Sequence, residues 1–440
     1  MRVLLIGSGG RENAIAWSVY ASPLLEKLYC IPGNPGIKEF AVCIDVNIKN
    51  YEKIYDIIQK YEIDIVVIGP EAPLVDGLTD FLEKKQVKVF GPSSYAAQLE
   101  GSKVFARLFC ERYSIPQPDF KFYSNPEIAI NDLKSSNSKN GYVIKADGLA
   151  SGKGVLVTEK IEEAISFVDD LYNKEIFGHS GKQFLIEEKV LGTEASIFTL
   201  IDGKNYVFLS TAQDYKRVFE NNLGPNTGGM GAISPSPLVD EKILEKIENE
   251  IIIPVINGMD QEGKPFKGVL YTGVMLTDNG PKVIEFNVRL GDPEAQVILP
   301  RLKSDFLTAI LATIDGGLKH LNLRWHEEIA LNVVLTSSGY PGNFIKGKRI
   351  TGLNNMSNNS LIFHSGTKSD KLGNLLTNSG RVLSLTSLAK NINEKIEIIF
   401  KKPSFFLAFK NLNVISFSTV EINILPVSYT HLRAHETRED

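Results

Sequence analysis

Three short runs of branched apolar residues, each ending in glycine, constrain the fold of the first hundred residues. They are RVLLIG (2–7), IDIVVIG (63–69) and VKVFG (87–91), and stretches with helical character separate them. Such a run is typical of a strand that is buried on both faces of a sheet. Strands that alternate with helices form βαβ units, so the sequence predicts an N-terminal doubly wound parallel α/β domain over residues 1–101.

The first strand leads into SGGREN (8–13), a glycine-rich turn that opens a helix. Gly7, Gly9 and Gly10 match the start of a dinucleotide-binding fingerprint, but Glu12 stands where its third glycine belongs. The N-terminus of a helix can still bind an anion. We therefore expect a phosphate-bearing substrate here rather than NAD, and a tight turn without a ligand is the alternative.

The composition excludes several classes of protein. Lys plus Arg number 48 against 52 for Asp plus Glu, a net charge of −4, which argues against a surface dedicated to nucleic acid. The first apolar run is broken at once by glycines and charges, so it predicts neither a signal peptide nor a membrane span. Cys30, Cys43 and Cys110 are too widely spaced for a disulfide framework or a zinc site. We expect core cysteines and a cytoplasmic protein.

Two glycine-rich stretches in the middle of the chain have the character of ligand loops. GYVIKADGLASGKGVLV (141–157) predicts a strand, a loop and a strand, with Lys145 and Lys153 placed to meet phosphates, although it is not a Walker A motif. GPNTGGMGAIS (224–234) follows AQDYKR and holds residues that a flexible linker does not need. We interpret it as a loop whose backbone approaches a ligand. A surface hairpin with chance lysines is the alternative for the first stretch.

The stretch QFLIEEKVLGTEASIFTL (183–200) predicts two strands joined by a turn. The exit of the first strand suits adenine recognition by the backbone, and Glu194 is available for ribose hydroxyls. Glu187 and Glu188 could equally be solvated charges.

The stretch GPKVIEFNVRLGDPEAQ (280–296) holds the strongest concentration of side chains suited to metal and phosphate binding. Alternate residues of a strand share a face, so we expect Glu285, Asn287 and Arg289 to point the same way. A carboxylate and an amide oxygen are hard ligands suited to Mg²⁺, and a guanidinium can face a phosphoryl group. A solvated strand face is the alternative, but the apolar residues between these three favour a site.

Seven motifs, in order and spacing, resemble the glycinamide ribonucleotide synthetase (phosphoribosylamine–glycine ligase) family of the ATP-grasp superfamily. They are GSGGREN, GPEAPLVDG, FGPSSYAAQLEGSKVFA, VIKADGLASGKGV, GPNTGGMGAISP, VIEFNVRLGDPEAQ and GRVLSLT. The resemblance implies an enzyme that uses ATP and Mg²⁺ or Mn²⁺ to join glycine to 5-phosphoribosylamine in de novo purine synthesis. A glycyl phosphate is the implied intermediate, with ADP and phosphate as products. Such chemistry needs aligned charges more than a protein nucleophile, and the sequence shows no nucleophile motif.

The resemblance also implies an architecture. A central ATP-grasp domain covers residues 102–315, with a mobile lid at about 121–188 that includes the 148–154 loop, and a small β-rich C-terminal domain covers 326–402. No catalytic constellation is obvious in that last domain, and we expect structural roles for His320, His326 and His364. Residues 403–440 depart from the family's pattern, and we interpret the last fifteen as an artefact of the sequence.

The family's roles transfer to matching positions of this chain. The ATP phosphates are expected at Lys103, Lys145, Ser151, Gly152, Lys153 and Gly154. Adenine and ribose are expected at Glu187, Glu188, Val190 and Glu194. Glu285 and Asn287 would hold the metal, and Arg289, Lys216 and Arg217 would be the catalytic cations. The substrates would meet Gly9, Gly10, Arg11, Asp214, Asn226, Thr227, Gly228, Gly229, Gly291, Asp292 and Pro293.

Some positions depart from the family. Asn13 and Tyr215 replace histidines that are common there, and the Glu-Asn-Asn at 220–222 replaces an Asp-Gly-Asp. Two alternatives stay open, namely another ATP-grasp carboxylate ligase of purine synthesis and a non-catalytic nucleotide-binding protein. The expected partners are small molecules, without nucleic acid or membrane, and we expect a monomer.

Overall fold

The N-terminal region is a five-stranded parallel sheet between helices. The protein is seen here in a computed structural model that describes residues 1–136, 138–149, 154–174, 182–219, 223–353 and 360–390. The strands run in the order β3-β2-β1-β4-β5, and every neighbouring pair is parallel. They are β1 (Arg2–Gly7), β2 (Lys27–Pro32), β3 (Val42–Cys43), β4 (Ile65–Ile68) and β5 (Lys88–Phe90). This confirms the doubly wound prediction, although β2 and β3 were not predicted.

Five helices connect and follow these strands. They are α1 (Gly10–Tyr20), α2 (Tyr51–Tyr61), α3 (Glu71–Val75), α4 (Leu78–Lys84) and α5 (Gln98–Gly101). The strand order reverses direction between β1 and β4. Ligands of open α/β sheets bind at such a switch point, beyond the carboxyl ends of the strands.

A smaller antiparallel sheet occupies the region predicted as the lid. Its strands run in the order β6-β9-β7-β8. They are β6 (Phe120–Tyr123), β7 (Tyr142–Ala146), β8 (Val155–Thr158) and β9 (Phe184–Glu188). The accompanying helices are α6 (Lys103–Arg112), α7 (Pro126–Ser135) and α8 (Ile161–Tyr172). The β7–β8 hairpin that the sequence predicted is present.

The central region is built on long antiparallel strands with a small side hairpin. Its main strands are β10 (Thr193–Asp202), β11 (Tyr206–Asp214), β14 (Gly231–Ser234), β15 (Lys267–Thr277) and β16 (Gly280–Asn287). The hairpin pairs β12 (Arg217–Phe219) with β13 (Leu223–Asn226). The helices are α9 (Glu241–Ile247), α10 (Ile253–Gln261), α11 (Ala295–Ile298) and α12 (Phe306–Asp315).

The C-terminal strands extend the central sheet. They are β17 (Ile329–Thr336), β18 (Ser360–His364) and β21 (Arg381–Ala389), with β19 (Thr367–Ser369) and β20 (Leu375–Thr377) as a separate pair. The sheet has eight strands in the order β16-β15-β10-β11-β14-β17-β21-β18. The C-terminal region is β-rich, as predicted, but one sheet runs without a break from the central region into it.

Two hydrophobic clusters fix the N-terminal sheet to the central sheet. Alternate residues of β1 enter different clusters, because successive side chains of a strand point to opposite faces. Leu4 packs in the cluster that contains Ile197 of β10, and Leu5 packs in the cluster that contains Phe198. Both sheets therefore share their cores, which holds the first helix turn over the central strands.

Two sequence expectations concern features outside the site. Cys30 and Cys110 are buried, as predicted for core residues, and Cys43 is partly buried. Of the helices in the described residues, none is both long and apolar enough to cross a membrane. Ser151, Gly152, Lys153 and the 403–440 tail lie outside the described residues.

Candidate functional site

A half-exposed carboxylate surrounded by cations lies at the centre of the candidate site. Glu285 projects from β16 with its side chain 47% exposed, and Lys216 Nζ is 3.5 Å from Glu285 Oε1 and 3.3 Å from Glu194 Oε2. The positive charge of Lys216, with that of Lys145, Arg289 and Lys103, lowers the pKa of Glu285 to about 2. Glu285 is therefore ionised at neutral pH.

Asn287 and Arg289 lie beside Glu285, as strand alternation predicts. Arg289 follows the end of β16 and donates from Nη2 to Asn287 Oδ1 at 2.9 Å and to Glu100 Oε1 at 2.7 Å. Burial alone would lower the pKa of Arg289, but Glu100 and further acidic groups outweigh it and raise that pKa. A β-bulge at Ile284 interrupts the alternation of side chains along β16. Ile284 lines a small cavity together with Glu194 and Lys216.

Lys145 belongs to a buried ion triad with Glu187 and Arg107. Glu187 Oε2 lies 2.8 Å from Lys145 Nζ, and Glu187 Oε1 accepts from Arg107 Nε at 2.7 Å. The three side chains are 11%, 1% and 4% exposed. Burial lowers the pKa of Lys145 despite Glu187, whereas the two cations outweigh burial and lower the pKa of Glu187. The carboxylate of Glu187 thus fixes Lys145, and the alternative of a solvated charge is wrong for Glu187.

The strand exit predicted for adenine keeps its other residues more exposed. Glu188 is partly buried and pairs with Lys282, whose Nζ donates to Glu188 Oε1 at 2.7 Å. Val190 is partly buried, and Glu194 is exposed at the start of β10. The side chain of Glu187 is engaged in the ion triad, so it is not free to contact adenine.

Lys103 connects α6 to the predicted lid loop. Its Nζ donates to Gly148 O at 2.8 Å, and Ser102 Oγ donates to Asp147 Oδ1 at 3.0 Å. Burial lowers the pKa of Lys103, and Asp147 partly opposes this. At the other end of the described loop, Gly154 O accepts from Ala146 N at 2.8 Å. Lys103 and the loop's first residues therefore form one local unit.

The glycine-rich loop packs closely against neighbouring side chains at Gly228 and Gly229. Gly229 has φ +107°, and a Cβ on it would meet Asp214 Oδ1 at 2.8 Å and the ring of Pro293. A Cβ on Gly228 would meet the guanidinium of Arg381 at 3.1 Å. The glycines allow the backbone to approach neighbouring side chains.

Other residues of this loop have local roles in the structure. Thr227 Oγ1 donates to Lys216 O at 2.8 Å and accepts from Gly229 N at 3.1 Å. Arg217 lies beside the loop, as predicted. Its Nη1 donates to Gly224 O at 2.6 Å, a contact within the β12–β13 hairpin. Asn226 is exposed at the end of β13.

A buried acidic pair faces the same loop. Among the described residues, Asp214 Oδ1 is buried and has no hydrogen-bond partner. Burial, together with the charge of Glu294, raises the pKa of Asp214 well above its ordinary value, and burial also raises that of Glu294. A Cβ on Gly291 would collide with the Glu294 carboxylate. A buried oxygen without a partner is costly, which favours a ligand donor at this position.

The N-terminal turn already holds an anion from its own helix. Gly9 N donates to Glu12 Oε2 at 2.6 Å, and Arg11 Nε donates to Glu12 Oε1 at 2.5 Å. Gly10 packs against Gln296 and Ser365. The expected phosphate at Gly9, Gly10 and Arg11 would therefore compete with Glu12 for Gly9 N and Arg11.

An open cavity of about 420 Å³ lies beyond this turn, at the switch point of the parallel sheet. Its lining comes from the carboxyl ends of β1, β2 and β4 and from the segment after β3: Gly7, Ser8, Gly9, Glu12, Pro32, Asp45, Val46, Asn47, Ile48 and Pro70. Neither Gly10 nor Arg11 is in that lining. The room for a ligand is thus beside Ser8 and Gly9.

Several residues at the site were not predicted from the sequence. They are Glu71 and Glu100 beside Arg289, Arg107 in the ion triad, Tyr271 in the small cavity, and Tyr340 and Arg381 on the glycine-rich loop. Arg381 brings a side chain of the C-terminal region to the glycine-rich loop. The motif GRVLSLT contains that arginine and was the available signal.

Glu285 and Asn287 fit a divalent cation. Glu285 is ionised and half exposed, and both residues present oxygen atoms, which hard cations prefer. Asn287 Oδ1 accepts from Arg289 Nη2, which fixes the orientation of the amide. The described residues hold no group of three or more His, Cys, Asp or Glu arranged for a metal, so a cation here would need ligands from outside the protein.

Comparisons with known proteins agree along the chain. Three family models match, described as the N domain (residues 1–100), the ATP-grasp (A) domain (101–295) and the C domain (330–407) of phosphoribosylglycinamide synthetase. A phosphoribosylamine–glycine ligase of Caldanaerobacter subterraneus subsp. tengcongensis is 45% identical over 402 residues, which are 91% of this chain and 95% of that protein.

Solved structures give the same result. The crystal structure of phosphoribosylamine–glycine ligase from Thermotoga maritima has a TM-score of 0.80 and 34% identity, covering 94% of this chain and 97% of that one. The biotin carboxylase domain of Hydrogenobacter thermophilus 2-oxoglutarate carboxylase, solved with MgADP, has a TM-score of 0.67 at 16% identity, covering 88% and 86%, and shares the fold alone. From the family models and the 45% identical relative, the chain belongs to the phosphoribosylglycinamide synthetase family.

Proposed function

We propose that this chain is a phosphoribosylamine–glycine ligase, which joins the carboxylate of glycine to the amine of 5-phosphoribosylamine at the expense of ATP. The observation that carries the proposal is the ionised Glu285 beside Asn287, with Lys216, Arg289 and Lys145 around them. Phosphoryl transfer to a carboxylate requires that negative oxygens be neutralised and aligned, and this group of residues can do both.

The reaction proceeds in two displacements. A glycine carboxylate oxygen attacks the γ-phosphorus of ATP, ADP leaves, and glycyl phosphate forms. The amine of phosphoribosylamine then attacks the acyl carbon, loses a proton and expels inorganic phosphate to leave the amide. The nucleophile of each step comes from a substrate, so the protein's residues bind, orient and exclude water.

The chain's own residues divide these tasks. Lys103 and Lys145 neutralise ATP phosphates, assisted by the loop from Ser151 to Gly154, and the 187–190 strand exit and Glu194 hold adenosine. Glu285 and Asn287 would hold a divalent cation, which supplies charge neutralisation to the phosphates when it is bound. We prefer Mg²⁺, with Mn²⁺ as a substitute.

Glycine is proposed to bind near the point where Asp214 and the glycine-rich loop approach the turn of Gly291, Asp292 and Pro293. The unpartnered Asp214 Oδ1 supports this location, because an ammonium group would supply the missing donor. Arg289 faces the phosphoryl group, and Lys216 and Arg217 add positive charge. Phosphoribosylamine is proposed in the cavity beside Ser8 and Gly9, with Gly10 and Arg11 behind it.

The test measures ADP release from the purified protein with Mg-ATP and glycine, with and without freshly generated phosphoribosylamine. Release that requires both substrates, with the amide product seen by mass spectrometry, supports the ligase. ATP binding without release would refute the ligase and favour a nucleotide-binding protein. Repeating the assay with MnCl₂ in place of MgCl₂ tests the metal preference.

We further propose that the protein acts as a cytoplasmic monomer. The three widely spaced cysteines support the location, because cysteines without a disulfide framework suggest a reducing compartment. Sedimentation equilibrium of the full chain and fractionation of the cells that make it test the two statements separately.

A further inference from the structure

One side chain of the C-terminal region bridges two loops of the central region. Arg381 begins β21, where its Cα pairs with Thr336 of β17. Its carbonyl accepts from Gly366 N at 2.9 Å. The backbone of Arg381 is thus held from two sides, so the origin of its long side chain is fixed.

The guanidinium donates to backbone oxygens on both loops. Nη1 donates to Asp292 O at 2.6 Å and to Gly228 O, and it lies 3.5 Å from Gly229 O. Nη2 lies 3.5 Å from Asp292 Oδ2. One planar group therefore sets the distance between the glycine-rich loop and the turn after β16, because the rigid geometry of a guanidinium fixes the direction of its donors.

The bridge is partly buried, and its two side chains carry opposite charges. The side chains of Arg381 and Asp292 are 21% and 17% exposed. Burial alone would raise the pKa of Asp292, but Arg381 and Arg11 outweigh it and lower that pKa. A charge-assisted contact in such an environment is stronger than a neutral one.

A second residue of the C-terminal region holds the same loop. Gly228 N donates to the hydroxyl of Tyr340 at 3.0 Å, so both polar groups of the Gly228 backbone bond to that region. The next residue, Gly229, packs against Asp214 and Pro293. A shift of the loop would therefore displace the buried Asp214 oxygen.

We propose that Arg381 is a positioning residue for glycine, which holds the 228–229 backbone and the Asp292 turn at the spacing that the amino acid requires. The proposal rests on the ligase function above, and it concerns only the glycine part of the site. Arg381 acts through the two backbones, and Tyr340 assists it. The ATP subsite, on Lys103, Lys145 and β16, lies on elements that these two residues do not contact in the described structure.

The experiment compares steady-state kinetics of the wild type with those of Arg381→Lys, Arg381→Gln and Tyr340→Phe. We expect KM for glycine to rise by about tenfold to a hundredfold in Arg381→Gln, since misplacement of a binding group by about 1 Å has effects of this size. Arg381→Lys should raise KM for glycine less than Arg381→Gln does, because lysine keeps the positive charge but lacks the planar guanidinium that bonds to both loops. KM for ATP should stay within about twofold. Arg349→Gln, which removes an exposed arginine of the same region, is the matched control and should leave all constants unchanged.

A structural role alone gives a different result. If Arg381 only stabilised the fold, kcat would fall with the melting temperature while KM for glycine stayed constant, and the proposal would be overturned. An equal rise in KM for ATP and glycine would overturn it as well. If Arg381→Gln does not fold, the test rests on Arg381→Lys. An increase in its KM for glycine supports the positioning role, and an unchanged KM refutes it.

The ligase function and the positioning role can fail separately. Amide formation by the wild type in the same assay tests the function, whatever the variants do. Calorimetric titration of glycine into protein saturated with a non-hydrolysable ATP analogue tests the positioning role without turnover. Weaker glycine binding in Arg381→Lys supports the role, and unchanged binding refutes it.

Discussion

Replacing Glu187 with glutamine should destabilise the ATP-grasp domain (residues 101–295) and make ATP binding depend on pH. The carboxylate accepts from Arg107 at 2.7 and 3.1 Å and lies 2.8 Å from Lys145, and none of the three side chains is more than 11% exposed. Glutamine keeps the shape, so no cavity forms, but it leaves two buried cations without a countercharge. Breaking a buried ion pair in this way costs about 3–5 kcal/mol.

This cost should be visible in thermal melting. For a region of about 200 residues, it corresponds to a fall in melting temperature of roughly 6 to 20 °C. Glu159→Gln is the matched control, because Glu159 is 73% exposed and its pair with Lys189 lies at the surface. An exposed pair contributes about 0–1 kcal/mol, so the control should melt within a few degrees of the wild type.

The same substitution should alter the titration of Lys145. Burial lowers the pKa of this lysine and Glu187 opposes that effect, so removing Glu187 lowers the pKa further. A neutral Lys145 cannot neutralise a phosphate. As pH is raised, KM for ATP should therefore begin to rise at a lower pH in the variant than in the wild type. A variant that melts like Glu159→Gln, with a pH profile parallel to the wild type, would refute the reasoning.

Four further outcomes follow from the structure. Glu285→Gln should reduce turnover by about 100-fold if the metal is central, and near-normal turnover would refute the metal assignment. Gly229→Ala should lower the melting temperature more than Gly373→Ala, because both glycines have positive φ but only Gly229 is enclosed by side chains. Burial lowers the pKa of His364 to about 4. Between about pH 6.5 and pH 4 only the unfolded chain binds the proton, so the free energy of unfolding should fall by about 3 kcal/mol across this range. In urea melts, His364→Gln should reduce this decline. Deleting residues 426–440 should leave turnover within about twofold, in line with their unfamiliar sequence.

The sequence was informative where local pattern decides the structure. The buried runs at 2–7, 63–69 and 87–91 became three parallel strands, because strands covered on both faces are apolar throughout. Glu285 and Asn287 were found together because alternation along a strand is a local rule. The seven ordered motifs indicated the family, since their joint spacing is far more specific than any one of them.

Long-range contacts explain what the sequence did not predict. Glu12 stands where the dinucleotide-binding fingerprint has its third glycine, and the sequence indicated no role for its side chain. In the folded turn, its carboxylate accepts a hydrogen bond from Gly9 N. Arg381 is distant in sequence from Gly228, and only the order of strands in the sheet brings them together. Glu187 resembled a solvated charge because nothing in its neighbourhood along the chain shows that Arg107 and Lys145 enclose it.

The unbroken eight-stranded sheet has a consequence for how the protein is made. Strand β14 leaves the ribosome well before β17, and β21 follows later still, yet β14 pairs with β17 and β17 with β21. Until these later strands are synthesised, β14 presents an open edge of unpaired N–H and C=O groups on a nascent chain that already contains the residues proposed to bind ATP. Such an edge is prone to pairing with other chains. Translation of the last strands therefore completes the catalytic cleft and closes the edge most exposed to misassembly, so stalled or truncated chains should be cleared by chaperones and proteases rather than accumulate as partial enzymes.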